Sequence, residues 1–285
     1  MGEDGQMERV GFVGLGMMGR PMASNLINKG VPLLTHDAAG VVLEGAEAVP
    51  DVVGVAAAST IILMLPDSRA VAAVMEQLLP ALAPGALVID MGSSVPAETR
   101  RWAAALAGRG CAMLDAPVSG SVPKARAGTL AIMVGGAPAD VARADPLLRH
   151  MGEAIIPTGP VGSAHGMKAL NNYVYAAGLL AVSEAALMAE AEGLDLNILA
   201  AVMNASSGRN IATETKLAQE IIPARYAGGF QLGLMRKDLE TAGRIAEGTG
   251  TPHAMLDLCR AHWDAAVEAL GPKADNTEIH RHLKG

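Results

Sequence analysis

From Val10 to about Gly162 the chain alternates short apolar runs with amphipathic stretches, and glycine or proline marks the joins. That rhythm predicts βαβ units, in which apolar strands form a parallel sheet and amphipathic helices cover its faces. The runs Val10-Leu15, Pro32-Asp37, Thr60-Leu65, Ala86-Asp90, Ala112-Ala116, Leu130-Val134 and Ala154-Pro157 read as strands, and Met18-Lys29, Ser68-Leu79 and Pro96-Gly108 as helices. After Gly162 the period changes. Ser163 to Glu192 is helix-permissive until Gly193 closes it, and Asn197-Ala205, Thr213-Gln219, Leu232-Glu247 and Thr251-Ala269 follow with no strand between them. The expected division is a loose tail over 1–9, an α/β domain over 10–162 and an all-α domain over 163–285. The first helix of the latter is apolar enough to need cover on all sides.

Composition agrees with this picture and removes several others. At roughly 150 residues per domain, a length of 285 residues predicts two domains. Apolar residues make up 51% and charged residues 18%, the balance of a packed globular protein. Net charge is −7 and the basic residues form no stripe, which argues against a nucleic-acid partner. Cys111 and Cys259 stand alone, without metal or disulfide spacing, as expected in a reducing cytoplasm. Met1-Arg9 lacks the pattern of a secretory signal. The longest apolar stretch, Tyr173-Val182, is shorter than the about 18 residues a bilayer requires, so no membrane partner is expected.

Chemistry enters at Gly14-Leu15-Gly16-Met17-Met18-Gly19. The motif follows a strand, opens a helix, and is answered about 20 residues later by Asp37 at the end of the next strand. In that context the first glycine permits the turn, the second lets backbone approach a pyrophosphate, and the third lets helix pack on strand. The helix N-terminus then presents free N–H groups to phosphate. Asp37 is placed to accept the adenosine ribose hydroxyls and would repel a 2′-phosphate, which favours NAD over NADP. The fold expected is therefore a Rossmann-type doubly wound sheet followed by an all-helical domain. Leu65 and Pro66 after the third strand, and Ser93 after the fourth, lie where ligands bind such sheets; Ser93 serves equally as a helix cap before Pro96.

The residues Phe12 to Leu26 resemble the N-terminal signature of the β-hydroxyacid dehydrogenases, a family that includes 3-hydroxyisobutyrate dehydrogenases and tartronate semialdehyde reductases. Asp115-Ala116-Pro117-Val118-Ser119-Gly120 is similar to its substrate loop, Gly162 to Asn172 to its catalytic helix, and Lys237-Asp238-Leu239 to its C-terminal cofactor contact. The resemblance implies Lys168 as general acid/base, Ser119 and Gly120 as the pair that holds a substrate carboxylate, and Lys237 as a contact to cofactor or carboxylate. Two positions depart from the family pattern: Ser121 and Ala164 stand where it has glycines. Ser121 narrows the mouth of the substrate loop or adds a hydroxyl to it.

These residue types suit the chemistry. Oxidising an alcohol requires removal of its proton as hydride leaves carbon, and the reverse step requires a donor. A desolvated lysine can do both, because burial disfavours its charged form. Asn171 and Asn172 follow Lys168 at i+3 and i+4 on one helix face, suited to orient a substrate hydroxyl or the lysine, or else to bond a neighbouring loop. Arg209, between helices, is a candidate to close over an anionic substrate. His165 is expected to be solvated at a helix N-terminus, Asp238 to cap or pair locally, and His280 and His282 to be solvated in a polar tail. With a lysine present no catalytic metal is needed. The expectation is an NAD-dependent oxidoreductase interconverting a small hydroxy acid bearing a primary alcohol with its semialdehyde, as a homodimer or homotetramer. Glyoxylate, succinic semialdehyde and sugar-acid derivatives are alternative substrates. A non-catalytic cofactor-binding scaffold or an imine reductase is disfavoured, because the relatives of those kinds have lost the lysine.

Overall fold

The structure is a computed structural model that describes residues 8–285. It falls into two compact units that part inside one helix, at Lys168/Ala169, a little beyond the expected boundary at Gly162. Residues 1–7 of the expected tail lie outside the described residues, while Glu8 accepts a hydrogen bond from the Ser59 hydroxyl (2.7 Å) and Arg9 pairs with Glu47.

The first unit is built on one sheet. Strands β1 (Val10–Val13), β2 (Leu33–His36), β3 (Glu47–Ala48), β4 (Thr60–Leu63), β5 (Leu87–Asp90) and β6 (Ala112–Asp115) run parallel in the order β3-β2-β1-β4-β5-β6. The sequences VGFV, TIIL and LVID are buried at every position, as both faces of a parallel sheet require. Side-chain alternation sorts them. Ile62, Leu87, Ile89 and Leu114 belong to one core with Phe12, Met22 and Leu26; Ile61, Leu63 and Val88 belong to a second core with Val71, Met75, Trp102 and Leu106.

Helices α1 (Gly19–Asn28), α2 (Ser68–Leu78) and α3 (Pro96–Ala107) supply those covering residues. In α1 the buried positions are Gly19, Met22, Ala23 and Leu26, a single stripe at helical spacing. Asp67 caps α2 by accepting the Arg69 and Ala70 N–H groups, and Pro96 opens α3. Strand order reverses at β1, which has β2 on one side and β4 on the other. The glycine loop after β1 therefore occupies the switch point at which open α/β sheets bind ligands.

Beyond β6 the runs Leu130-Val134 and Ala154-Pro157 form strands as expected, and an unforeseen two-residue strand precedes them. Strands β7 (Val118–Ser119), β8 (Leu130–Gly135) and β9 (Gly152–Gly159) extend the sheet, with β8 antiparallel to β6 and β7 and parallel to β9. Short helix α4 (Ser121–Ala127) and helix α5 (Pro138–Leu148) lie between them.

Helix α6 (Ser163–Ala191) carries the chain into the second unit, which consists of α7 (Leu196–Ala205), a π-helical segment Ala212–Ile221, α8 (Leu232–Thr249), α9 (Ala254–Leu270), a short 3-10 turn and α10 (Ile279–Lys284). By length and hydropathy alone α6 could cross a membrane. Its apolar side chains Ala176, Leu179, Leu180, Val182 and Ala186 instead join the core of the second unit with Met235, Leu239 and Trp263. The segment expected as an ordinary helix over Thr213-Gln219 is wound as a π-helix. The expected polar tail is also folded: His280 is buried, the Tyr226 hydroxyl lies 3.2 Å from its Nδ1, and Asn276 accepts the Trp263 indole N–H at 2.7 Å.

Candidate active site

The glycine loop shows three separate reasons for its three glycines. Gly14 has φ +97°, and a Cβ there would lie 2.4 Å from the Met64 carbonyl oxygen. A Cβ on Gly19 would fall 1.9 Å from the Gly14 carbonyl oxygen, so only glycine lets α1 start this close to β1. At Gly16 a Cβ would meet nothing within 4 Å among the described residues, so that position is open to a ligand. Met17 is exposed beside it, Met18 stands at the N-cap without a side-chain cap, and no acid occupies the first turn of α1. This is the cradle that a dinucleotide pyrophosphate fits, at a helix start whose first turn carries no acid.

Asp37, directly after β2, is half-buried. Its two oxygens accept the N–H groups of Leu15 (2.7 Å) and Ala39 (2.9 Å), which leaves each oxygen a further lone pair for a ribose hydroxyl. A cleft of about 590 Å³ opens beside the loop, from Leu15, Gly16 and Met17 to Val122 and Arg126. Arg20 and Arg126 both line it.

The loops after β4 and β5 are locked together. A Cβ on Gly92 would lie 2.7 Å from the Leu65 carbonyl oxygen, and the Ser68 hydroxyl accepts the Val95 N–H at 2.8 Å. Leu65 and Pro66 thus border the same sheet end as Ser93. Val95, and not Ser93, occupies the N-cap position of α3.

On the loop that resembles the family's substrate loop, Ser119 ends β7, Gly120 has φ +137°, and Ser121 opens α4 with φ +57°. The backbone here is a left-handed turn that suits glycine. Ser121 adopts that conformation against the usual steric preference, which explains in physical terms why a glycine is expected at the position. A Cβ on Gly120 would lie 2.7 Å from Lys124 Cβ and Cδ, so the Lys124 stem lies along the Gly120 backbone.

The start of α6 is fixed from the sheet. Asp115, the last residue of β6 and fully buried, accepts the N–H groups of Gly162 (2.7 Å) and His165 (2.8 Å). A carboxylate on a neighbouring strand thereby serves the orphan donors of the helix start. His165 is not solvated, contrary to the sequence expectation. Its ring is buried, with Nδ1 2.8 Å from the Thr99 hydroxyl of α3 and Nε2 3.8 Å from Asp90 Oδ2. The sequence suggested a helix N-terminus open to water, but strands β5 and β6 and helix α3 all close over it.

Lys168 follows one turn later and is buried at 9% exposure. Asn171 is exposed and donates to Asn172 Oδ1 at 3.1 Å. Asn172 is buried and donates to Asp238 of α8, so one of its polar ends is committed to a helix rather than to a loop. Asp238, expected to pair locally, has this partner 66 residues away; the Lys237 ammonium lies 4.0 Å from its other oxygen. Arg209 is exposed and forms an ion pair with Glu214.

Sequence reasoning missed Asp90, Thr99 and Asp115 as a group. The signal was present: LVID and AMLD are apolar strands that each end on an acid, and an acid closing a fully buried strand must have partners beyond it.

Two family profiles together match most of the chain: the NAD binding domain of 6-phosphogluconate dehydrogenase over residues 9–159, and the NAD-binding domain of NADP-dependent 3-hydroxyisobutyrate dehydrogenase over residues 162–283. The chain is 38% identical to NAD-dependent L-serine dehydrogenase of Pseudomonas aeruginosa over 88% of its own length and 90% of that protein's. It is 38% identical to mitochondrial 3-hydroxyisobutyrate dehydrogenase of Rattus norvegicus (96% and 87%), and 37% identical to 2-(hydroxymethyl)glutarate dehydrogenase of Eubacterium barkeri (88% and 86%). Among solved structures it is similar to Mycobacterium tuberculosis 3-hydroxyisobutyrate dehydrogenase with L-serine, at a TM-score of 0.92 and 30% identity over 98% of this chain and 100% of that one.

Proposed function

We propose, from the premise that this chain belongs to the β-hydroxyacid dehydrogenase family and is a nicotinamide-dependent oxidoreductase of hydroxy acids, that it oxidises a 2-substituted 3-hydroxypropanoate to its semialdehyde and catalyses the reverse reduction. The three relatives named above act on L-serine, 3-hydroxyisobutyrate and 2-(hydroxymethyl)glutarate. Each of these carries a hydroxymethyl group on the carbon next to a carboxylate. The observation that carries the reading is Lys168, a buried lysine one turn into a helix whose first turn is pinned to the C-terminal end of β6.

When bound, the nicotinamide supplies the hydride acceptor or donor. The glycine loop cradles the pyrophosphate and Asp37 takes the adenosine ribose. Lys168 takes the hydroxyl proton in oxidation and returns it to the carbonyl oxygen in reduction. Ser119 and the backbone at Gly120 hold the carboxylate, and Asn171 with Asn172 orients the lysine's end of the helix. NAD is favoured over NADP because the Asp37 carboxylate would repel a 2′-phosphate.

We further place the protein in the cytoplasm, in line with two buried free thiols. A second copy of the chain is the partner that suits the apolar corner between α6 and α7, where Met188, Leu194, Ile198 and Val202 are each more than half exposed.

The deciding experiment is the initial rate of NADH and NADPH oxidation with methylmalonate semialdehyde, tartronate semialdehyde, succinic semialdehyde and glyoxylate, with Lys168→Ala in parallel. Faster turnover with NADH that collapses in Lys168→Ala supports cofactor, acid and substrate class together. Near-wild-type turnover in Lys168→Ala overturns the mechanism.

A further inference from the structure

Beneath the start of α6 lies a buried cluster that the reaction as described does not use. Asp90 and Asp115, at the ends of neighbouring strands β5 and β6, are both fully buried. Asp115 holds the helix start through two N–H groups. Asp90 holds the following loop, accepting the Gly92 N–H at 3.0 Å and the Ser94 hydroxyl at 2.6 Å. The His165 ring lies between the carboxylates, with Nε2 3.8 Å from Asp90 and Nδ1 3.9 Å from Asp115. Among the described residues no hydrogen-bond partner reaches Nε2, although the atom is buried.

The hydrogen-bond network decides where the ring proton belongs. The Thr99 hydroxyl is within reach of both His165 Nδ1 (2.8 Å) and the Val95 carbonyl (3.2 Å), and it has one proton to give. If it donates to Nδ1, the neutral ring carries its proton on Nε2. If it donates to Val95, Nδ1 must be protonated, and a bare Nε2 lone pair would then face the Asp90 carboxylate unless that nitrogen is protonated too. Both acceptable states put a proton on Nε2, directed at Asp90. A ring N–H lying between the two buried carboxylates is thus supplied by the residue three before Lys168.

We propose that His165 is a positioning residue that ties the loop after β5 to the catalytic helix, holding Lys168 in place through an Nε2 proton directed at Asp90. This rests on Lys168 as the proton-transferring group. The loop it ties, Met91 to Ser94, includes the candidate cofactor contact Ser93. The cluster therefore links the cofactor side of the sheet to the lysine within a single packed unit.

Two amide substitutions separate the ring nitrogens. His165→Gln places an N–H donor where Nε2 stands, and His165→Asn places its amide at the Nδ1 position. Each is compared with wild type and Lys168→Ala for kcat, KM for NAD and thermal midpoint, using whichever of 3-hydroxyisobutyrate and L-serine the wild type oxidises. The expected result is that His165→Asn loses kcat roughly tenfold with KM for NAD and the midpoint nearly unchanged, and that His165→Gln recovers kcat to within about threefold of wild type. If Asn equals or exceeds Gln, or both lose kcat in step with a fallen midpoint, the ring only fills space and the proposal is overturned. Turnover retained in Lys168→Ala sinks the reading of the lysine and this one with it; turnover lost there while Asn matches Gln sinks the histidine alone.

Discussion

The Leu15 backbone N–H donates to Asp37 Oδ2 at 2.7 Å, joining the acid after β2 to the glycine loop after β1. In the function proposed above this one carboxylate has two tasks, buttressing the loop and receiving the ribose, and they separate by substitution. Asp37→Asn keeps an acceptor for Leu15 but removes the charge facing a 2′-phosphate. The expected outcome is a shift of the NADPH to NADH ratio of kcat/KM toward NADPH by about tenfold with little change in melting temperature. Asp37→Ala is expected to raise KM for both cofactors. Equal loss with both cofactors in Asp37→Asn would show that the charge does not select between them.

Ser121 predicts a stability gain. Its φ of +57° costs a residue with a Cβ about 1–2 kcal/mol, while glycine's extra freedom in the unfolded chain costs about 0.5–1 kcal/mol. Ser121→Gly is therefore expected to stabilise the protein by roughly 0.5–1 kcal/mol, read as a higher denaturation midpoint with unchanged m. A change in substrate preference in the same variant would show that the hydroxyl also reaches the substrate. A lower midpoint would mean that the hydroxyl contributes more than the backbone strain costs.

How legible each part was depended on how far its partners lay along the chain. Strands β1, β4, β5 and β6 were legible because burial on both faces leaves a run of apolar letters. The glycine loop was legible because its strand, turn, helix and acid fall within 30 residues. Helix α4 was hidden by Pro123 and two glycines, and β7 by its length of two residues. His165 was misread because its surroundings come from β5, β6 and α3, none of them near it in sequence. His280 was misread for the same reason: Tyr226, 54 residues earlier, covers it.

The apolar corner between α6 and α7 predicts self-association. Ile198 and Val202 lie one turn apart on α7 and expose 65% and 55% of their surface. Placing a charge in a paired apolar surface leaves it desolvated and unpartnered. Ile198→Glu is expected to shift the wild-type oligomer toward smaller species in sedimentation or light scattering, with the far-UV spectrum retained. A wild type that runs as a monomer at all concentrations tested would remove the proposal.

His280 predicts the direction of acid sensitivity in the helical unit. The Tyr226 hydroxyl meets Nδ1 and the two rings stack at 6.3 Å, while Nε2 is buried without a hydrogen-bond partner among the described residues. Burial pushes the imidazole pKa below its usual 6.5, with Glu190 opposing and Lys284 adding to the shift. The unfolded chain then binds a proton that the folded chain refuses. Stability from this group is full above about pH 6.5 and falls as pH drops toward the depressed folded value. His280→Phe retains the ring and removes the titration. Its melting temperature is expected to fall less steeply than that of wild type between about pH 6.5 and 5. Parallel slopes for the two proteins would assign the acid loss to other groups.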